Sequence, residues 1–333
     1  MASIKDVARQ AGVSTTTVSR VLGDSDAVRP ALRERVQRAI VELAYRPNLA
    51  ARRLRQQRAS MVGLIVSDIR NPFFTEISRA VEDMAFCHDL RLILCNTDED
   101  PAKEQAYLEL MADEQASGVI LSATLERLQR TAADDLPFPV VLIDRAPDPA
   151  GPRARCDVVQ IDNTGAARRL TQHLLGQGHR RFVVLAGSRS STGRERQAGI
   201  EGLLREHGLQ PNVMALPPTA AAAQDAVRSL LAAGERPDAL LATSGLLLLG
   251  AVQALQAAGL AWPQDIALAG FDNNEWTALL RPGITVIAQP TQEMGRSAGE
   301  LLLQRIAEPD RAPRRIVLDG ELLVRGSSGP RPA

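Results

Sequence analysis

After residue 60 the chain alternates between short apolar runs and amphipathic stretches, and few architectures accept that pattern. The runs are VGLIV (62–66), RLILC (91–95), GVILSA (118–123), PVVLI (139–143), RFVVLA (181–186), DALLAT (238–243), IALAGF (266–271) and ITVI (284–287). Each is nearly continuous in apolar residues, as a strand buried on both faces must be. Between them lie stretches of helical period such as FTEISRAVEDMAF, EQAYLELMADEQ and TGAARRLTQHLLGQG. Strands alternating with helices give doubly wound parallel sheets, covered by helices on both faces. Eight such strands exceed what one compact sheet usually holds, so the pattern predicts two α/β lobes. The carboxyl ends of their strands would then border a ligand cleft.

Residues 3–45 follow a different rule. Ile4, Val7, Ala8 and Ala11 form an i, i+3, i+4, i+7 stripe. Ser3 and Asp6 suit the start of that helix, and Gly12 its end. Ser14 can cap a second helix, in which Val18, Val21 and Leu22 face inward. GDSDAVRP then reads as a loop, and Pro30 opens a third helix with Leu32, Val36, Ile40 and Leu43 buried. Two helices joined by a Gly turn make a helix-turn-helix. The second helix spends three poor helix formers in succession, Thr15, Thr16 and Thr17. Packing of its valines holds it, so its outer face is free to carry chemistry. Hydroxyls, Thr methyls and the Arg20 guanidinium are what major-groove base edges and flanking phosphates take.

Charge supports that reading. The chain is neutral overall, yet residues 1–60 hold 12 Lys and Arg against 5 acids. Such asymmetry predicts that the basic end meets a polyanion. Cys87, Cys95 and Cys156 have no metal-ligand spacing and suit a reducing compartment. MASIKDVARQAG lacks the apolar core of a signal peptide, and no apolar run is long enough for a membrane span, so a cytoplasmic location is expected. The four histidines are scattered, no catalytic constellation emerges, and GSRSSTG lacks the GK[ST] ending of a phosphate loop. No enzyme activity, cofactor or metal is expected.

Several motifs together carry a resemblance. IKDVARQAGVSTTTVSRVL, YRPNLAARRL, VGLIVSDIRNPFF, DRAPDPAGPRARCDVVQIDN, RERQAGI and IALAGFDN resemble the LacI/GalR family of bacterial transcription regulators along essentially the whole chain. The resemblance implies a helix-turn-helix head (1–46), a hinge helix and linker (47–60), and an effector-binding and dimerisation domain like a periplasmic sugar-binding protein (61–333). Its lobes would span about 61–161 plus 291–318, and about 162–290 plus 319–333. Double-stranded operator DNA and a homodimer are implied as partners. Thr15 and Thr16 would read bases, Thr17 and Ser19 hold phosphates, and Arg20 add a further base contact. Asn48, Ala51, Leu54 and Arg55 would belong to a hinge helix in the minor groove, with Leu54 wedged between base steps.

For the effector cleft, the resemblance points to Phe73, with Phe74 read as packing, and to Arg145, Arg196, Ser244 and Asp272. Trp276 is open between the cleft and a lobe core. Ser244-Gly245 stands where many relatives carry acids. Removing a carboxylate beside two arginines favours an anionic ligand. FDNNEWTALLRPGITVIAQPT also resembles the gluconate- and ketogluconate-responsive branch, so the expected effector is a sugar acid such as 2-ketogluconate, gluconate or 2-keto-3-deoxygluconate. A neutral sugar or purine effector, a transport-type sugar-binding protein and an α/β enzyme are the competing readings.

Overall fold

The computed structural model describes residues 3–22, 28–43, 45, 61–129, 136–147 and 156–330. The chain divides into two compact units, residues 1–59 and 60–333.

The first unit contains helices α1 (Ile4–Ala11), α2 (Thr15–Leu22) and α3 (Pro30–Glu42). Ser3 and Asp6 form a reciprocal capping box at the start of α1. The chain leaves α1 through Gly12, whose φ of 60° is the left-handed conformation that a Cβ would strain. Arg35 of α3 donates to the Ala11 carbonyl at 2.6 Å, tying the turn to the third helix. Ser14 accepts from the Thr17 amide and so starts α2. Val7, Ala11, Val18, Val21 and Val36 fill the small core. The expected hinge residues Asn48, Ala51, Leu54 and Arg55 lie outside the described residues.

The second unit holds two six-stranded sheets. The first comprises β1 (Met61–Val66), β2 (Arg91–Asn96), β3 (Gly118–Leu121), β4 (Val140–Ile143), β5 (Asp157–Ile161) and β11 (Arg315–Leu318). The second comprises β6 (Phe182–Gly187), β7 (Asn212–Leu216), β8 (Ala239–Ala242), β9 (Ala267–Phe271), β10 (Thr285–Ala288) and β12 (Glu321–Leu323). Their orders, β11-β5-β4-β3-β1-β2 and β12-β10-β9-β8-β6-β7, match position for position. Every pairing is parallel except β10 with β12, which is antiparallel.

Helices α4 (Pro72–Cys87) and α12 (Thr291–Ala307) cover one face of the first sheet, and α5 (Pro101–Asp113) and α6 (Leu125–Gln129) the other. Around the second sheet, α7 (Asn163–Gly176) and α8 (Ser191–Glu206) pack opposite α9 (Ala220–Ala232) and α10 (Gly245–Ala257). A short helix, α11 (Glu275–Leu279), follows β9. One continuous apolar core runs through both lobes, from Val62 and Ile77 in the first to Leu170 and Leu241 in the second. Among the described residues, three segments cross between the lobes: Asp162–Asn163 after β5, Gln289–Pro290 after β10, and Asp319–Gly320 between β11 and β12. Among the described residues, no helix is long and apolar enough to cross a membrane.

The structure has four strands that the apolar-run pattern does not predict: β5, β7, β11 and β12. Three of them are half-exposed at or beside the sheet edges. The fourth, β5, is wholly buried, but Asp157 and Gln160 interrupt its apolar run. Asp157 is neutralised there by Arg305 Nε at 2.9 Å and accepts from the Arg314 amide at 2.8 Å.

Candidate functional site

In the first unit, the outward face of α2 carries the chemistry. Thr16 and Arg20 are exposed and lie one helical turn apart, so both project from the same stripe. Thr15 and Ser19 form a parallel, half-buried row beside them. Thr17 is half-buried, and its hydroxyl lies 3.0 Å from Ser14 Oγ, so it is shared with the helix cap. Val18 and Val21 point the other way, into the core.

In the second unit, a cleft opens at the carboxyl ends of the two sheets, with about 840 Å³ of open space including its mouth. Matching topology places matching residues across it. Asp144 is the first residue after β4 and Asp272 the first after β9, equivalent places in the two strand orders. Both adopt left-handed backbone, with φ of 69° and 74°, a region that Asp tolerates better than most side chains. Both are buried. Burial pushes the Asp144 carboxyl up to about 6, against the pull of Arg145 and Arg196 and with added repulsion from Asp272 and Glu99.

The residues expected in the cleft divide by what holds them. Phe73 lines it from the first turn of α4, where Asn71 caps the helix by accepting from the Phe73 amide. Phe74, expected only to pack, also lines the cleft, its ring edge-on to Phe73 with centroids 4.9 Å apart. Arg145 lines the cleft too, but it is 3% exposed and forms a bidentate pair with Glu99, adding a 3.1 Å bond to the Ala123 carbonyl. Its Nε makes no hydrogen bond and lies 3.5 Å from Asp144.

Arg196 lies over the Phe271 ring, 4.0 Å from its centroid. Its Nε donates to Asn163 Oδ1 at 2.8 Å, Nη1 to the Thr243 carbonyl at 2.8 Å and Nη2 to Gln289 Oε1 at 3.1 Å. Burial lowers its pKa, opposed chiefly by Asp272 and Asp144. Asp272 accepts from Gln289 Nε2 and from the Gly245 amide at 2.7 Å. That approach explains the Ser244-Gly245 pair. A Cβ on residue 245 would stand 2.6 Å from Asn274 Nδ2 and 3.0 Å from Asp272. Ser244 caps α10 and lines the cleft. Trp276 is not among the lining residues; it lies against the core under β9 and β10 with Leu280.

The expectation of an arginine excess in the cleft needs correction. Asp68, Asp98, Glu99, Asp144 and Asp272 line it against Arg70, Arg145, Arg189 and Arg196. Arg70 pairs with Asp68 and Asp98, and Arg145 with Glu99. Arg189, in the loop between β6 and α8, is exposed at the mouth and has no ion pair among the described residues. Sequence reading passed over it, as it did Glu99, Asn163 and Gln289. A guanidinium in the loop that leads directly into the helix of Arg196 was the available signal. Among the described residues no group of His, Cys, Asp and Glu could hold a metal.

A helical head whose second helix offers hydroxyls and a guanidinium, with a two-lobed unit that opens a cleft at its strand ends, has the make-up of an effector-controlled DNA-binding regulator. Comparison with known proteins identifies which kind. Residues 3–48 match the model for bacterial regulatory proteins of the lacI family, and residues 171–328 that of a periplasmic binding protein-like domain. The HTH-type transcriptional regulator KdgR of Bacillus subtilis (strain 168) is 34% identical over 98% of this chain and 97% of its own. The HTH-type transcriptional repressor PurR of Aliivibrio fischeri (strain MJ11) is 34% identical over 98% of each. A solved complex of the transcriptional regulator CelR with cellobiose superposes with a TM-score of 0.73 at 32% identity, over 98% of this chain and all of that one. The chain belongs to the lacI family of bacterial regulatory proteins, DNA-binding transcriptional repressors with small-molecule effectors.

Proposed function

We propose that this repressor binds a palindromic operator as a cytoplasmic homodimer and is released from it by a sugar acid bound in the cleft. On the DNA side, Thr15, Thr16 and Arg20 contact base edges, and Thr17 and Ser19 contact phosphates. A dimer sets two such helices about one duplex turn apart. Asn48, Ala51, Leu54 and Arg55 add minor-groove contacts, and the basic segment around them steepens the salt dependence. In the cleft, Phe73 packs on the effector's carbon face, Asp272 and Ser244 take its hydroxyls, and Arg145 and Arg196 sit beside them.

The observation that carries the sugar-acid reading is Arg189, exposed at the cleft mouth with no acidic partner among the described residues. A planar fork of donors in that position takes a ligand carboxylate. Titration calorimetry with gluconate, 2-ketogluconate and 2-keto-3-deoxygluconate, against ribose, galactose and hypoxanthine, tests it. Heat is expected from a sugar acid, and Arg189→Gln should weaken that binding about tenfold or more, the loss of one charged hydrogen-bond pair. Heat from a neutral sugar or a purine alone overturns the assignment. The neutral-sugar reading has its own support in the five carboxylates of the cleft, which accept hydroxyls well, and in the CelR relative's complex with cellobiose.

A further inference from the structure

Arg196 touches more than the cleft. The residue is 4% exposed, and the three donor bonds of its guanidinium go to three different segments. Asn163 stands on the first crossover between the lobes, Gln289 on the second, and Thr243 at the carboxyl end of β8. The chain of bonds continues outward. Asn163 Nδ2 donates to Glu195 at 2.9 Å, and Gln289 Nε2 donates to Asp272, which in turn holds the Gly245 amide. Asn163 is buried and does not line the cleft, so its bond to Arg196 is not part of a ligand surface. The third crossover is held differently, by Arg169 donating to the Gly320 carbonyl at 2.9 Å.

We propose that Arg196 is a hinge clasp: one rigid guanidinium fixes the spacing of two of the three interlobe crossovers, with Asn163 and Gln289 as its positioning residues. Only a planar fork with donors on separate edges can span both crossovers at once, because a lysine ammonium is a single point. A ligand group that takes the Nη2 edge displaces the 3.1 Å Gln289 bond, the longest of the three, and so alters the second crossover directly. Cleft occupancy then reaches the interlobe angle through bonds that both states must make or break. The clasp itself does not depend on which effector binds.

Hydrogen-exchange mass spectrometry on the full chain without effector tests it, following peptides at 158–166, 286–295 and 316–323. Asn163→Ala should speed exchange at 286–295 about threefold to tenfold, the scale of one lost hydrogen bond. That peptide lies on a crossover Asn163 does not touch in the hydrogen-bond network except through Arg196. Peptides at 316–323 and in α10 should keep wild-type rates. Glu195→Ala removes the other partner of Asn163 but leaves its bond to Arg196, and should keep slow exchange at 286–295. Should Asn163→Ala fail to fold, Arg196→Lys serves in its place, with both of the first two crossovers loosened and the third unchanged. Wild-type exchange at 286–295 in Asn163→Ala, acceleration of all three crossovers alike, or acceleration at 286–295 by Glu195→Ala would overturn the clasp.

Discussion

Replacing Asp144 by Asn should remove a pH dependence of stability that this one buried carboxyl imposes. Its folded pKa of about 6 stands above the ordinary 3.8, so the folded state holds a proton that the unfolded chain releases between those values. A group raised in this way favours folding below pH 3.8 and loses that contribution as pH rises through 6. The gap of roughly two pKa units corresponds to about 3 kcal/mol in all, of which about 2 kcal/mol is lost between pH 4 and pH 7. Asn has the same shape, tolerates the 69° φ, and cannot ionise. The difference in unfolding free energy, variant minus wild type, should therefore climb by about 2 kcal/mol over that interval. Urea unfolding followed by far-ultraviolet circular dichroism, at half-unit pH steps and constant ionic strength, measures it. Groups that do not interact with Asp144 titrate alike in the two chains, so their contributions cancel in the difference. A difference that stays flat, or one that falls as pH rises, would refute the assignment of a desolvated, proton-holding carboxyl facing Asp272.

Two further outcomes follow from local geometry. Thr16 is exposed on the stripe it shares with Arg20, whereas the Thr17 hydroxyl is shared with the cap of its own helix. Thr16→Ala should lower discrimination between operator and mutated operator by about 1 to 3 kcal/mol, while Thr17→Ala should weaken binding to all sequences nearly equally; fluorescence anisotropy on both duplexes reads the two patterns. Glu99→Ala leaves Arg145 buried without its bidentate partner and should destabilise the second unit by about 3 to 5 kcal/mol, the usual result of orphaning one half of a buried ion pair. Thermal unfolding of the variant checks this, and a loss below about 1 kcal/mol would mean that solvent reaches Arg145.

Much of this structure was legible because the physics is local. Near-continuous apolar runs such as VGLIV and IALAGF suit strands covered on both faces, and the two parallel lobes follow from the alternation; RLILC alone departs, forming the half-exposed edge strand β2. Ser3, Gly12 and Ser14 announced the head helices through cap chemistry that acts within three residues. The edge strands β7, β11 and β12 escaped because their apolar runs, VMAL, IVL and LLV, are short, and β5 escaped because Asp157 interrupts one while being neutralised by a residue 148 positions away. The cleft shows the same division. Arg145 and Asp272 follow the ends of recognisable strands, Phe73 and Arg196 stand near the starts of the helices that follow two others, and all four line the cleft. Which charges remain available there depends on pairs such as Arg145 with Glu99, 46 residues apart, and no spacing rule reports those. Counting the acid missing at residue 245 therefore gave the wrong balance, since Glu99 and Asp144 approach from other strands. Trp276 lay between two readings because its helix begins just beyond Asp272; the fold turns its ring onto the lobe core.

The direct test of an effector-controlled repressor is a gel shift of the full chain on fragments of its own genome, with and without millimolar gluconate, 2-ketogluconate or 2-keto-3-deoxygluconate. A small set of fragments sharing a palindrome should shift at low protein concentration, and one sugar acid should release them. Uniform shifts across all fragments, no shift at all, or release by a neutral sugar or purine but by no sugar acid would contradict it.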